Sequence, residues 1–325
     1  MMRTGLVAIG VPALLALSAP ALAGRDIGYA ATGPVFVLPA GVSVERLDVH
    51  VSTYSVRLAY VFMTNTRQTM HFSFAMPDMP VDASPDAIGV AEGDRQAGFT
   101  ADTQPVNYLD LSVSVNGETP ALTGHGRALL DGRDVTRRLR DADVPLLYDL
   151  DGETPWPNLQ PDAHAKLAAD GLLQLDAAQW TYQADFAWDT VLEPGETRVE
   201  IGYIPVTRYW TDINLDDFPE IATDGSATQA YCIDDAVRRA FLSGDLYYEL
   251  YTVTHLGSRG GWHGPVGRYR LEVDKQHATD FIAFCPPNAK KVSPTRFEWI
   301  ATDYTQDDEI GILFFWDASV ADEQE

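Results

Sequence analysis

The stretch "WTYQADFAWDTVLEPGETRVEIGY", Trp180 to Tyr203, decides the fold class. Trp180, Tyr182, Ala184, Phe186 and Trp188 recur at every second position, and Val199, Ile201 and Tyr203 do the same after the turn residues Glu193-Pro194-Gly195-Glu196. A period of two puts each apolar set on one face of a half-buried strand, so the segment predicts a β-hairpin. Working back toward the start, Val56, Leu58, Tyr60 and Phe62 precede Asn65-Thr66-Arg67 and are followed by Met70, Phe72, Phe74 and Met76, which predicts another hairpin. Leu47, Val49 and Val51 alternate with Asp48 and His50, and Leu109 to Val115 run into Asn116-Gly117, a strong two-residue turn signal.

The middle of the chain reads differently. Asp134 can cap a short helix containing Val135 and Leu139, and Asp162 can cap another that Gly171 ends, with Pro155-Trp156-Pro157 between them. Beyond Tyr203 the pattern predicts a helix at 234–242 and strands at 247–256, 268–273, 281–284, 297–301 and 310–316. The expected fold is mainly β: two antiparallel β-sandwich-like modules, at 24–124 and 178–325, joined by a short helical connector at 125–177. Residues 1–23 read as a signal peptide, with Arg3, an apolar run and the small-residue ending Ala21-Leu22-Ala23. The apolar run is shorter than the ~20 residues of a membrane helix, so no membrane span is expected after cleavage. The expected location is the periplasm or the exterior.

The formal net charge of −24 opposes nucleic acid and anionic lipid surfaces, which require basic patches. Cys232 and Cys285 are the two cysteines. Neither has a second Cys or a His at metal-ligand spacing, and in an oxidising compartment such a pair forms a disulfide. Closing a loop of that length stabilises by about 4 kcal/mol in the chain-entropy description.

Four places could carry chemistry. The run "GSRGGWHGPVGRYRLEVDK", Gly257 to Lys275, is rich in glycine, but a strand pattern (Tyr269, Leu271, Val273) follows it where a phosphate loop needs a helix. It reads as an inter-strand loop whose Arg259, Trp262 and His263 are candidate binding residues. Asp212, Asn214 and Asp216 resemble the start of a calcium loop, but Asp217 replaces the turn glycine and Thr223 the closing glutamate. Asp234 and Asp235 are adjacent acids, which suit acid-base catalysis only if both face a cleft; just before Ala236-Val237-Arg238 they suit a helix start better. Trp180, Trp188, Tyr209 and Trp210 could stack sugars, although alternating aromatics in a sandwich are more often core. The sequence contains no GxSxG elbow and no HxxxH or HxH pair, and no cofactor is expected.

The segments "FAMPDMP" (Phe74 to Pro80), "PGETRVEIGYIPV" (Pro194 to Val206), "YCIDD" (Tyr231 to Asp235), "WHGPVGRYRLEVDK" (Trp262 to Lys275) and "KKVSPTRFEW" (Lys290 to Trp299) resemble a family of exported bacterial proteins known as domain of unknown function 4424. The resemblance implies export and a single architectural unit, and supplies no catalytic residue. The functional expectation is a non-enzymatic binding or assembly module of the cell envelope, with an envelope protein or a glycan as partner. The alternative is a carbohydrate-active or calcium-dependent binding or hydrolytic protein.

Overall fold

The computed structural model describes residues 33–76, 78–81, 89–90, 107, 109–147, 160–175, 177–213, 231–242, 248–255, 265–285, 288–305 and 310–317. The proposed leader at 1–23 lies outside them. In the first half come β1 (Val35–Phe36), β2 (Val42–Val51), β3 (Val56–Thr64), β4 (Gln68–Ala75), β5 (Met79–Pro80), β6 (Gly89–Val90), β7 (Ser112–Val115), β8 (Thr123–Leu130) and β9 (Arg133–Asp134). Helices Thr136–Asp141 and Pro161–Ala169 follow, then β10 (Leu173–Gln174), β11 (Ala177–Ala178), β12 (Thr181–Leu192), β13 (Gly195–Tyr203) and β14 (Val206–Ile213). A helix over Asp235–Leu242 leads to β15 (Tyr248–His255), β16 (Val266–Asp274), β17 (Phe281–Phe284), β18 (Lys290–Lys291), β19 (Arg296–Tyr304) and β20 (Ile310–Asp317).

The chain is mainly β, as its alternation predicts, but its pairing differs from the two hairpins read from sequence. β3 and β4 do not pair with each other, and neither do β12 and β13. One sheet runs β1-β4-β12-β8-β9, with β5 on β12, and a second runs β18-β19-β16-β2-β3-β13-β7. The turns after Thr64 and Leu192 therefore carry the chain from one layer to the other. The two layers meet face to face: Phe36 of β1 lies 5.6 Å from Tyr60 and 5.6 Å from Phe62 of β3, and Phe62 lies 5.9 Å from Phe72 of β4. Trp188 stacks on Phe72 at 5.1 Å, and Tyr203 meets Phe74 at 5.1 Å. These rings satisfy the apolar period by packing across layers. Alternation fixes which face is buried and leaves the hydrogen-bonded neighbour open.

The Asn116-Gly117 turn forms as expected, with both residues at positive φ and Val115 bridged to Glu118, but β8 then joins the other layer. The helix starts differ slightly from expectation. Gln160, not Asp162, stands at the N-cap position of Pro161–Ala169, without a side-chain hydrogen bond, because Pro161 occupies the first helical position, where its missing N–H costs nothing. Asp134 accepts from the N–H of Thr136 at 2.9 Å, one residue ahead of the cap at Val135. Both helices of the 125–177 stretch bury leucines, Leu139 and Leu167, in the same hydrophobic cluster as the sheets.

Strands from 24–124 and 178–325 share sheets. β2 and β3 lie between β16 and β13 in the second layer, and β4 lies beside β12 in the first. The division at 125–177 therefore does not separate two sheets, and one hydrophobic cluster runs from Phe36 to Phe314. β2 and β16 pair in parallel, while the other strand pairs are antiparallel. A third sheet, β17-β20-β15-β14-β6, contributes Ile312 and Phe314 to that cluster. Among the described residues no helix is long and apolar enough to cross a membrane.

Three strands change phase together near one end of the second layer. β2 slips register between Val44 and Arg46, so Val44 and Leu47 are both buried; beside it, Val266 and Tyr269 of β16 are both buried. On β19, Asp303 takes φ 49°, and Tyr304 joins Trp299 against Tyr269. A bulge of this kind re-aims side chains without ending the sheet. Gly267 is required there because a Cβ would sit 2.8 Å from the carbonyl oxygen of Glu45.

Inside the sandwich, Tyr60 OH, Tyr203 OH, Tyr269 OH, Trp188 Nε1 and Thr190 Oγ1 have no hydrogen-bond partner among the described residues. Leaving a buried polar group unsatisfied costs about 1–3 kcal/mol, so five dry groups would cost about as much as the whole net stability of a domain.

Gly267→Ala is expected to destabilise the protein by about 1–3 kcal/mol, since the obstructing atom is backbone and cannot rotate away. Urea unfolding measures this, and an unchanged midpoint would show that the three-strand bulge relaxes freely.

Candidate functional site

The sequence-predicted site residues do not converge. Arg259, Trp262 and His263 lie outside the described residues, as do Asn214 and Asp216; Asp212 lies in β14. The exit of the glycine-rich loop is described. Val266 pairs with Val44 on one side and Tyr304 on the other, so the loop opens beside the three-strand bulge.

Cys232 and Cys285 form the expected disulfide, with their Cα atoms 5.2 Å apart. This bond ties the residues before the helix Asp235–Leu242 to the end of β17. The ring of Tyr231 lies against Gly311 of β20, where a Cβ would come within 2.6 Å of it. Asp234 Oδ1 accepts from the N–H of Val237 at 2.8 Å, and its backbone carbonyl accepts from Arg238 at 3.0 Å. That is the geometry of a helix cap, the role the sequence favours for Asp234. Of the proposed sugar-stacking aromatics, Trp180 and Trp188 are core residues.

Among the described residues, one small cavity lies beside a buried charge and another against exposed ones. Lys275 follows β16 and is 7% exposed. Its ammonium donates to the carbonyl of Ala278 at 2.6 Å and to that of Asp280, closing the turn into β17. Burial lowers its pKa, the charge of Lys291 lowers it further, and Asp280 partly offsets both. The cavity beside it, about 20 Å³ and lined by Thr53, Tyr54, His277, Asp280 and Phe314, has room for a single water. The other, about 90 Å³, lies against Arg133, Asp134, Arg138 and Asp170. Neither approaches the roughly 300 Å³ that a small-molecule site needs. Among the described residues, no three of His, Cys, Asp or Glu gather as a metal site.

Among the described residues, the largest organised set of charged groups is one that sequence reading missed. It covers the outer face of β19, β16 and β2. By register, Lys290, Glu298, Glu272, His50 and Arg57 form one row across five strands, followed by Ile300, Arg270 and Asp48, and then by Thr302, Arg268 and Arg46. Arg270 bridges two acids, with Nη2 at 2.5 Å from Glu272 and Nε at 2.5 Å from Glu298. His50 Nδ1 lies 3.1 Å from the other oxygen of Glu272, and Arg296 Nε lies 3.1 Å from Asp274. Burial opposes ionisation of Glu272, but the hydrogen bonds and charges of His50 and Arg270 outweigh it and hold its carboxyl below the ordinary 4.5. An ionised carboxylate only accepts, so His50 presents its N–H there.

The pattern loosens at one end. Arg46 and Arg268 are direct neighbours across the parallel pair and share a single acid, Asp48, at 3.2 and 3.6 Å. Like charges placed directly opposite are unfavourable in a sheet. Their geometry around Asp48 is also poor: Arg46 Nε and Asp48 Oδ1 make no hydrogen bond. Both arginine side chains remain about two-fifths exposed, at 40% and 45%, although Arg46 Nε itself is buried. A guanidinium group in this state can receive a carboxylate, sulfate or phosphate as a two-pronged partner. The alternation of Arg268, Arg270, Glu272 and Asp274 was visible in the sequence. Their neighbours on β2 stand 222 residues away, as His50 does from Glu272, and no spacing rule reaches that far.

Fold and surface together define a disulfide-tied, mainly antiparallel β-protein built around one face-to-face sandwich. The chain belongs to the family described as "Domain of unknown function (DUF4424)", whose model matches residues 24–313. No curated protein matches it. Among solved structures, it is similar to a candidate nutrient-binding protein of Legionella pneumophila subsp. pneumophila str. Philadelphia 1, at 11% identity over 88% of this chain and 70% of that one, with a TM-score of 0.38. A likeness this loose decides neither fold nor ligand.

Two outcomes follow. Asp234→Ala should lower stability by about 1 kcal/mol, the value of a helix cap, as measured by urea unfolding. Because the pKa of Glu272 is depressed on folding, its contribution is fully present above about pH 4.5 and is lost as pH falls through the lower folded value. Glu272→Gln should therefore flatten the acid limb of the stability profile below that pH and leave its slope near neutrality unchanged.

Proposed function

We propose that the mature protein is an exported, non-enzymatic binding module of the cell envelope, and that the outer face of β19, β16 and β2 recognises an anionic partner. The observation that carries this reading is the Arg46–Arg268 pair, two partly exposed arginine side chains sharing one poorly aligned carboxylate on a chain with a formal charge of −24. Arg57, Lys290 and Arg296 stand on the same face, so six cationic side chains, with Arg270, meet four carboxylates there. Local charge of the opposite sign to the whole molecule gives orientation to an encounter. Export is supported by the Cys232–Cys285 disulfide and by a family match that begins at residue 24, where the leader is expected to end.

A second reading, glycan binding, draws on the half-buried rings of Trp299 and Tyr304, 5.1 Å apart and edge to face, beside the exit of the glycine-rich loop. Aromatic faces of this kind can receive the C–H face of a sugar.

Native mass spectrometry of the protein purified gently from its own envelope separates the readings. The expected result is a mature N-terminus at Gly24 and a co-purifying anionic component that Arg46→Gln with Arg268→Gln removes. A sugar adduct that survives this double substitution and is lost in Trp299→Ala would favour the second reading. A hydrolytic activity that follows the purified protein would overturn the non-enzymatic one.

A further inference from the structure

We propose that the sandwich interior is a binding site for water, held between the layers by the hydroxyls of Tyr60, Tyr203 and Tyr269. All three side chains are almost completely buried, at 0%, 3% and 0% exposure, and none of the three hydroxyls has a hydrogen-bond partner among the described residues. The surrounding positions show that this interior accepts a plain ring, because Phe36, Phe62, Phe72 and Phe74 fill it beside them. A hydroxyl at three positions where phenylalanine would fit needs a reason.

Geometry places the three in one layer. Tyr60 and Tyr269 flank Leu47 in a single row across β3, β2 and β16, and Tyr203 stands on β13, beside β3, with its ring against Phe74 of the opposite layer. That opposite layer presents two further unpartnered groups, Trp188 Nε1 and Thr190 Oγ1 of β12. Burial raises the pKa of all three phenols; Tyr60 raises that of Tyr203 further, and Tyr304 and then Tyr60 raise that of Tyr269. A phenol can both donate and accept, and an internal water typically makes about three hydrogen bonds, so water can bridge hydroxyls that do not reach one another.

The dry and hydrated interiors respond oppositely to Tyr→Phe. If a hydroxyl is dry, removing it relieves a penalty and raises the melting temperature. If it holds water, removing it leaves that water short of a partner and lowers the melting temperature. The test uses the mature, disulfide-intact protein and its Tyr60→Phe, Tyr203→Phe, Tyr269→Phe and triple variants. Water-oxygen magnetic relaxation dispersion counts long-lived internal waters, and calorimetry gives the melting temperature. The expected result is at least one long-lived water lost between wild type and the triple variant, with each single variant melting lower by roughly 2–4 °C. Any water at the Lys275 cavity is common to all five proteins and cancels in the comparison. An unchanged count, or single variants that melt at or above the wild-type temperature, overturns the proposal.

Discussion

The structure depends on aromatic packing across two layers. Phe36, Tyr60, Phe62, Phe72 and Trp188 form a continuous set of ring contacts at 5.1–5.9 Å between β1, β3, β4 and β12. β3 is followed at once by β4, and β12 by β13, yet in both cases the second strand faces the first or lies in the layer opposite it. A hairpin would leave the same apolar faces needing a cover from elsewhere. Sending consecutive strands to opposite layers lets the local sequence supply both halves of the core, which is the economy of a sandwich.

Much of the fold was legible for this reason, and its limits are physical as well. The buried set Leu47, Val49, Val51, Val56, Leu58, Tyr60 and Phe62 follows from period-two alternation, as do Tyr182 to Trp188 and Val199 to Tyr203. The helix at 235–242, its capping Asp234 and the Cys232–Cys285 bond were equally readable, because each depends on residues whose local chemistry is specific. Pairing was not readable. The turn at Glu193 to Glu196 looks the same whether it reverses a strand within a sheet or lifts it to the next layer. Composition changes at 125–177, but the sheets cross that stretch, since β2 and β16 become neighbours through backbone hydrogen bonds that leave no mark on either sequence.

The same limit hid the ionic surface. Arg268, Arg270 and Glu272 read individually as the solvent side of one strand. They become a surface with properties of its own only when β2 brings Arg46, Asp48 and His50 alongside on one flank and β19 brings Arg296 and Glu298 on the other. Within that surface, Glu272 is tightly satisfied and 12% exposed, whereas the Arg46–Asp48–Arg268 end is open and badly aligned. The tight part behaves as scaffold, and the loose part leaves two arginine side chains incompletely paired.

The parallel pairing of β2 with β16 also sets an order of events. β2 can find β3 as soon as both exist, but its other edge waits for a strand 222 residues further along, the separation of His50 and Glu272. Contacts this distant in sequence require a large loop to close first and slow the search for the native state. A chain emerging N-terminus first would hold β2 with an open hydrogen-bonding edge until nearly all of it had appeared, an invitation to pairing with other chains. The architecture thus ties the protein's yield to how well that edge is shielded during synthesis.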